Sequence, residues 1–243
     1  MESTIQDKRD KVNSFFAELD FNAKQHQYRY KGRQLSSVSS YIKKYVEEFD
    51  ASTIAGYVAK SRGISKEKVL QEWEDIKNTA CDKGNRVHDY GETYSNNIID
   101  GKNHSKSPSD PYEEAVVSFW NSLPSHIVPF INELKMFSEW FGVAGTGDII
   151  LYNTITGKFI IGDYKTNKDI FKNHKGKKMY TPYNDMLDMP YSKYEIQLSF
   201  YQYLFEQTGF KVERRALIWL LPDGTFKVYE TRDLRERIKN TFN

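Results

Sequence analysis

The hydrophobic pattern of this chain switches between two periods. Residues 149–152 (Ile-Ile-Leu-Tyr) and 159–161 (Phe-Ile-Ile) are short, β-branched and aromatic, so they read as strands. Asn153-Thr-Ile-Thr-Gly157 between them is turn chemistry, which predicts a hairpin. Residues 127–137 form another strand, interrupted by Glu133, and residues 216–221 and 225–229 pair around Pro222-Asp-Gly224. Helical spacing marks residues 53–62 and 66–94, broken at Gly63. The second of these carries Leu70, Trp73, Ile76, Ala80 and Val87 as a core stripe. Residues 112–123 turn Val116, Val117, Phe119 and Trp120 inward. Residues 192–207 read as a helix capped by Ser192, with Glu195 at the capping-box position and Gly209 after its end. Residues 232–239 form a charged closing helix.

The N-terminal part is more polar. It predicts a short amphipathic helix with Val12, Phe15, Phe16 and Leu19 on one side. A small hairpin over residues 27–35 follows, turning at Lys31-Gly32. Ser36 or Ser37 then caps a helix reaching about Glu48. Residues 96–111 read as a mobile polar loop, which includes an Asn103-His-Ser triplet of the glycosylation-acceptor type. Residues 165–191 are the most irregular stretch. The expected fold class is α/β, or α+β by some definitions: a mixed central sheet of four or five strands flanked by helices. Residues 1–125 are expected to form a helical region packed on a core of residues 126–243, in one integrated domain.

Composition narrows the setting. The 243 residues are 28% charged and 39% hydrophobic, which is ordinary for a soluble protein. No apolar run is long enough to span a membrane, and the charged N-terminus carries no signal-peptide core. Cys81 is the only cysteine, so no disulfide framework exists and a reducing cytoplasm is the expected compartment. The net charge of +2 is too small to mark a nucleic-acid binder by itself, so such a role needs a local basic patch.

The hairpin ends carry the chemistry. Asp148 opens one strand, and Asp163-Tyr164-Lys165 closes the other. Side chains alternate along a strand, so Asp163 and Lys165 share a face and Asp148 lands beside them. Two adjacent carboxylates repel unless a cation sits between them. Hard oxygen ligands suit Mg²⁺ or Mn²⁺, and such an ion activates water and clamps phosphate oxygens. The competing reading is a hairpin whose charged ends are simply solvated. Glu133 needs a partner if buried. Gln197 and Tyr201 lie four apart on one helix face. Lys165, Lys168, Lys172, Lys175, Lys177 and Lys178 are interleaved with Phe171, Tyr180 and Tyr183. That mixture suits either a single-stranded nucleic-acid surface or a solvated loop.

Glu133, Gly-Thr-Gly-Asp148, Asp163-Tyr164-Lys165 and Gln197-Leu-Ser-Phe-Tyr201, in that order, resemble the PD-(D/E)XK nuclease superfamily. The likeness is strongest to the branch of RecB-type nuclease domains, the mitochondrial genome-maintenance exonuclease and phage recombination exonucleases. Gly84-Asn-Arg-Val-His88-Asp-Tyr-Gly-Glu92 matches that branch's upstream histidine motif, and residues 30–41 resemble the opening segment of its exonucleases. Gly147 stands where the superfamily's name has proline. A lone cysteine excludes the four-cysteine iron–sulfur cluster of some members.

The resemblance implies a restriction-endonuclease-like core and metal-dependent DNA exonuclease activity in phage-type recombination, replication or repair. Asp148, Asp163, His88, Glu133 and the Tyr164 backbone carbonyl would hold Mg²⁺ or Mn²⁺, and His88 would favour Mn²⁺. Lys165 would position the attacking water, Gln197 and Tyr201 would support Lys165 or contact the strand, and Glu92 would orient a water. Arg33, Ser37, Ser39, Lys168, Lys172, Lys175, Lys177 and Lys178 are the expected DNA contacts. The implied setting is the cytoplasm, a host's if the chain is phage-encoded. The implied partners are DNA ends and, as separate chains, an annealing protein or a helicase, because this chain has no Walker-type phosphate loop. A site- or structure-specific endonuclease and a non-catalytic nucleic-acid-binding module are the alternatives.

Overall fold

The computed structural model describes residues 4–102 and 107–242, and the Asn103-His-Ser triplet lies outside them. Leu19–Asn22 (β1), Gln27–Tyr30 (β2) and Arg33–Ser37 (β3) form an antiparallel meander. Ile127–Ser138 (β4), Val143–Asn153 (β5), Lys158–Lys165 (β6), Val212–Leu220 (β7) and Phe226–Glu230 (β8) complete one mixed sheet. Its order is β1-β2-β3-β5-β6-β7-β8, with β4 also on β5. The β5–β6 hairpin, β4 and the β7–β8 pair stand where the apolar pattern puts them. The sheet has eight strands rather than four or five because β1–β3 join it through Ser36↔Val143 and Ser37↔Ala144, a parallel contact. The N-terminal part is therefore not purely helical.

The β5 strand organises the sheet. β4 runs along one of its edges from Ser138↔Val143 to Ile127↔Asn153. The other edge is shared: β6 pairs with residues 149–153, and β3 pairs with residues 143 and 144. Residues 145–148 lie between, unpaired on that edge, so the sheet forks at Asp148. Alternation along β5 sends Ile150 and Tyr152 into one core and Ile149 and Leu151 into another. The first core is covered by Ile5–Phe16 (α1), Val38–Lys43 (α2), Pro190–Glu206 (α6) and Arg235–Lys239 (α7). The second is covered by Lys66–Ile99 (α4) and Pro111–Ser122 (α5).

Ala51–Arg62 (α3) packs on the first turns of α4 around Ala55, Ala59 and Val69. This pair forms an arm with its own small core. Gly63 ends α3 at φ 65°, as its place between the two helical patterns requires. The stripe expected along α4 is only partly buried. Val69 and Val87 are inside, but Ile76 is 67% exposed and Ala80 is exposed, because α4 leaves the arm core before it reaches the sheet.

Several boundaries move for local reasons. Leu19 lies in β1, and Phe15 points outward while Val12 and Phe16 are buried. Ser37 caps α2 by accepting from the Ser40 amide at 3.0 Å, but the helix ends at Lys43. α4 continues to Ile99, through the start of the expected loop. α6 begins at Pro190 after Met189, with no side-chain cap, because proline suits the first helical position. Ser192 is buried inside the helix, and Glu195 bonds Arg232 at 2.8 Å instead of capping. Arg232 is consequently outside α7. The irregular stretch after β6 is packed down: Ile170, Met179, Tyr183 and Met186 are buried. Tyr183 bonds Tyr41, Oη to Oη at 3.1 Å, so this ring is core and not a stacking surface. No helix among the described residues is long and apolar enough to cross a membrane.

α4 lies close on the sheet because of Gly91. A Cβ there would stand 2.6 Å from Cε2 of Tyr164, which is fully buried and has no room to yield. Helix propensity alone favours alanine over glycine by about 1 kcal/mol. We expect Gly91→Ala to destabilise the protein by about 1–3 kcal/mol instead, through overpacking. Denaturant unfolding measures it, and a more stable variant would contradict this packing of α4 on Tyr164.

Candidate metal centre

Three adjacent strands each bring an acid to the fork. Glu133 falls between the pairs Asn132↔Ile149 and Leu134↔Gly147, so it stands opposite Asp148. Asp163 stands on the other side of Asp148, one step beyond Ile149↔Gly162. The strand arithmetic of the sequence is met here: Asp148, Asp163 and Lys165 do gather at one end of the hairpin. Glycines keep the floor narrow. A Cβ on Gly145 would meet Cε1 of Tyr201 at 2.7 Å, and one on Gly147 would meet Cε of Met136 at 3.0 Å.

Glu133 sits in the left-handed region at φ 48° inside a strand. A non-glycine residue held there costs of order 1–3 kcal/mol, and such strain concentrates at functional sites. Burial, and then Asp148 and Glu92, push its carboxyl up to about 8. α4 supplies the nitrogen. His88 Nδ1 lies 3.2 Å from Asp148 Oδ2, and Nε2 lies 3.1 Å from the Tyr164 carbonyl oxygen. Asp148 Oδ2 also accepts the Tyr164 amide at 3.1 Å. α4 is fixed on both sides of His88: Lys83 Nζ donates to the Thr166 carbonyl at 3.0 Å, and Arg86 pairs with Glu113 at 2.7 Å and with Asp110.

Ligand atoms of His88, Glu133 and Asp148 all lie within 4.8 Å of one another. Asp163 is outside that trio. It is fully buried and ion-paired through Oδ2 with Lys165 Nζ, and neither of its carboxylate oxygens accepts a hydrogen bond of ordinary geometry. Burial of Lys165 opposes its charge, but Asp163 and then Asp148 outweigh this and hold the ammonium above its usual range. Burial, and then Asp148, raise the Asp163 carboxyl, and Lys165 pulls it back.

The residues fit a hard divalent cation. They offer carboxylate oxygens, one imidazole nitrogen, a backbone carbonyl and the unbonded Asp163 Oδ1. The His88 ring faces oxygen acceptors on both sides, and a ring with one N–H directs a lone pair at one of them. A cation beside the ring relieves that contact.

His88, Glu133 and Asp148 open into a cleft of about 520 Å³, while Asp163, Tyr164 and Lys165 lie behind its lining. Ser37, Ser39, Gly84, Glu92, Gln197 and Tyr201 line it, as expected of neighbours of the site. Gln197 Nε2 donates to Tyr201 Oη at 2.8 Å, so these two steady each other. The cleft lining does not include Arg33, whose guanidinium lies near Gly142, nor Lys168, Lys172, Lys175, Lys177 and Lys178, which are exposed on the segment after β6. Lys177 pairs with Glu47 at 2.7 Å.

Some site residues escaped the sequence reading. Lys135, also in the cleft, is two residues from Glu133 on the same strand, and that period was a usable signal. Tyr28, whose hydroxyl bonds Thr146 Oγ1 at 2.8 Å, gives no local signal because 118 residues separate the pair. Tyr194, one turn before Gln197, places its ring 4.9 Å from Lys165 Nζ. No protein-family model matches this chain, and no curated protein matches it. The site therefore rests on its own geometry.

A carboxyl with a higher pKa folded than unfolded holds its proton more tightly in the folded state. The stability this adds is complete below the ordinary value of 4.5 and is lost as pH rises through about 8. In chelator, we expect Glu133→Gln to match the wild type at pH 4 and to exceed it at pH 9 by about 1–3 kcal/mol, discounted for partial exposure. Saturating Mn²⁺ should reverse that order, since only the wild type keeps the full ligand set. Thermal unfolding at the two pH values measures both, and a pH-independent difference would contradict the crowded site.

Proposed function

We propose that this protein is a divalent-metal-dependent deoxyribonuclease with a restriction-endonuclease-like core, acting from strand ends. The observation that carries the reading is the convergence of His88, Glu133 and Asp148 within 4.8 Å in an open cleft, with the Asp163–Lys165 pair packed behind them. A binding module gains nothing from acids facing phosphates, which repel them. The forked sheet, with one acid on β5 and an Asp-x-Lys at the end of β6, supports the PD-(D/E)XK reading of the sequence.

His88, Asp148, Glu133, Asp163 and the Tyr164 carbonyl hold Mg²⁺ or Mn²⁺ in this reading. When bound, that ion neutralises the acids, draws a phosphate oxygen to the site and makes a water more acidic. The reaction is attack of water oxygen on phosphorus, with the P–O3′ bond breaking to leave a 5′-phosphate and a 3′-hydroxyl. Lys165, held charged, donates rather than abstracts: it orients the water and offsets charge building on the phosphate. Ser37 and Ser39 meet the strand inside the cleft. Arg33 and the lysines at 168, 172, 175, 177 and 178 act farther out, as salt-dependent phosphate contacts. The setting is cytoplasmic DNA processing in recombination, replication or repair, with any annealing protein or helicase as a separate chain.

End-labelled linear DNA with Mg²⁺ or Mn²⁺ tests this directly. We expect cleavage by the wild type, none in EDTA, and a fall on the order of 100-fold or more in both Asp163→Asn and Lys165→Ala. A closed circle should resist, because it offers no end, and a cut circle would make the protein an endonuclease. Variants as active as the wild type would overturn the assignment. Binding that survives EDTA, with no cleavage under either ion, would make it a binding module.

A further inference from the structure

Lys165 is the cation that the proposed hydrolysis relies on, yet the pair expected to steady it, Gln197 and Tyr201, is bonded to itself. Another group lies on the ammonium. Tyr194, in the early turns of α6, presents its ring 4.9 Å from Lys165 Nζ, within cation–π range. The ring is anchored in turn. Tyr194 Oη donates to Asn167 Oδ1 at 2.7 Å, and Trp219 Nε1 donates to the Asn167 carbonyl at 2.7 Å. Trp219 is also the register partner of Lys165 across β6 and β7. Strand exit, indole, phenol ring and ammonium thus close one circuit. The Lys165 side chain is only 16% exposed, so little water competes for it.

An ammonium has three N–H donors and no lone pair. Asp163 holds the ammonium from one side through an ion pair, and the Tyr194 ring covers a second direction. We propose that Tyr194 is the positioning residue for Lys165: its ring, with Asp163, confines the ammonium so that its remaining N–H serves the attacking water or a phosphate oxygen. A lysine has four rotatable side-chain bonds, and an ion pair to one carboxylate oxygen does not by itself fix the direction of the other donors. The ring face removes that freedom without consuming a donor in a hydrogen bond. The hydroxyl acts only through Asn167, so the ring matters more than the hydroxyl. The catalytic half of this assignment rests on the nuclease reading, while the seating of Lys165 on the ring stands independently of it.

The test uses Tyr194→Leu, which loses the ring, and Tyr194→Phe, which keeps it, in the full-length protein. We expect Tyr194→Leu to lower kcat about tenfold, with KM for DNA unchanged, and Tyr194→Phe to stay within about threefold of wild type. In a Lys165→Ala background, Tyr194→Leu should have no further effect, because the two residues act as one unit. Independently of activity, the Lys165 ε-methylene protons should show an upfield ring-current shift by NMR in the wild type and in Tyr194→Phe, and lose it in Tyr194→Leu. Equal activity in Tyr194→Leu and wild type, additive losses with Lys165→Ala, or a wild-type Lys165 resonance at the ordinary lysine position would each overturn the assignment. A folded wild type that shows the ring-current shift but never cleaves DNA would overturn the nuclease reading and, with it, the catalytic half of this one.

Discussion

Crowding of negative charge at one fork in the sheet is the constraint behind the rest of the site. Glu133, Asp148 and Asp163 come from neighbouring strands at one level, where Asp148 raises the cost of ionising both Glu133 and Asp163. The fold does not dilute this cost. It buries Asp163 completely, holds Glu133 in a left-handed backbone conformation, and supplies one ammonium, that of Lys165, against Asp163. Lys165 on Asp163, with Lys135 beside Glu133, does not neutralise three carboxylates. A divalent cation does, and the oxygen-rich donor set with one imidazole is of the kind such an ion takes.

The geometry follows from how β5 divides its edge. Because β6 leaves it after Ile149 and β3 joins it only at residues 143 and 144, residues 145–148 face a gap rather than a strand. α6 closes the gap from one face with Tyr201 and Gln197, and α4 closes it from the other with His88. α4 acts as a rigid bar rather than a loop. Gly91 seats it on Tyr164, Lys83 ties it to the end of β6, and Arg86 ties it to α5. Its other half carries the α3 arm, whose small core is separate from the two on the sheet.

The parts legible in the sequence were those set by local rules. A tight turn fixes hairpin register, so the meeting of Asp148, Asp163 and Lys165 followed from counting along β5 and β6. The i, i+4 spacing placed Gln197 beside Tyr201 in the same way. Long-range pairings were not legible. β3 reaches β5 through two residue pairs, across more than a hundred residues of chain, and its short polar sequence carries no apolar signature. The bend that turns Glu133 toward Asp148 depends on a backbone angle no periodicity reports. His88 shows the intermediate case: spacing alone left it an ordinary helical histidine, and only its motif neighbours marked it. The segment after β6 is irregular as its sequence implies, but surface lysines hid the four apolar anchors, Ile170, Met179, Tyr183 and Met186, that pin it down.

Crystals soaked in Mn²⁺ test the central claim most directly, through an anomalous difference map at the manganese edge. The account predicts one dominant peak at the fork, in contact with His88, Asp148 and Glu133, with the Tyr164 carbonyl and Asp163 facing it. A map whose strongest peak lies away from these residues, or one that is blank at the fork at saturating Mn²⁺, would contradict it.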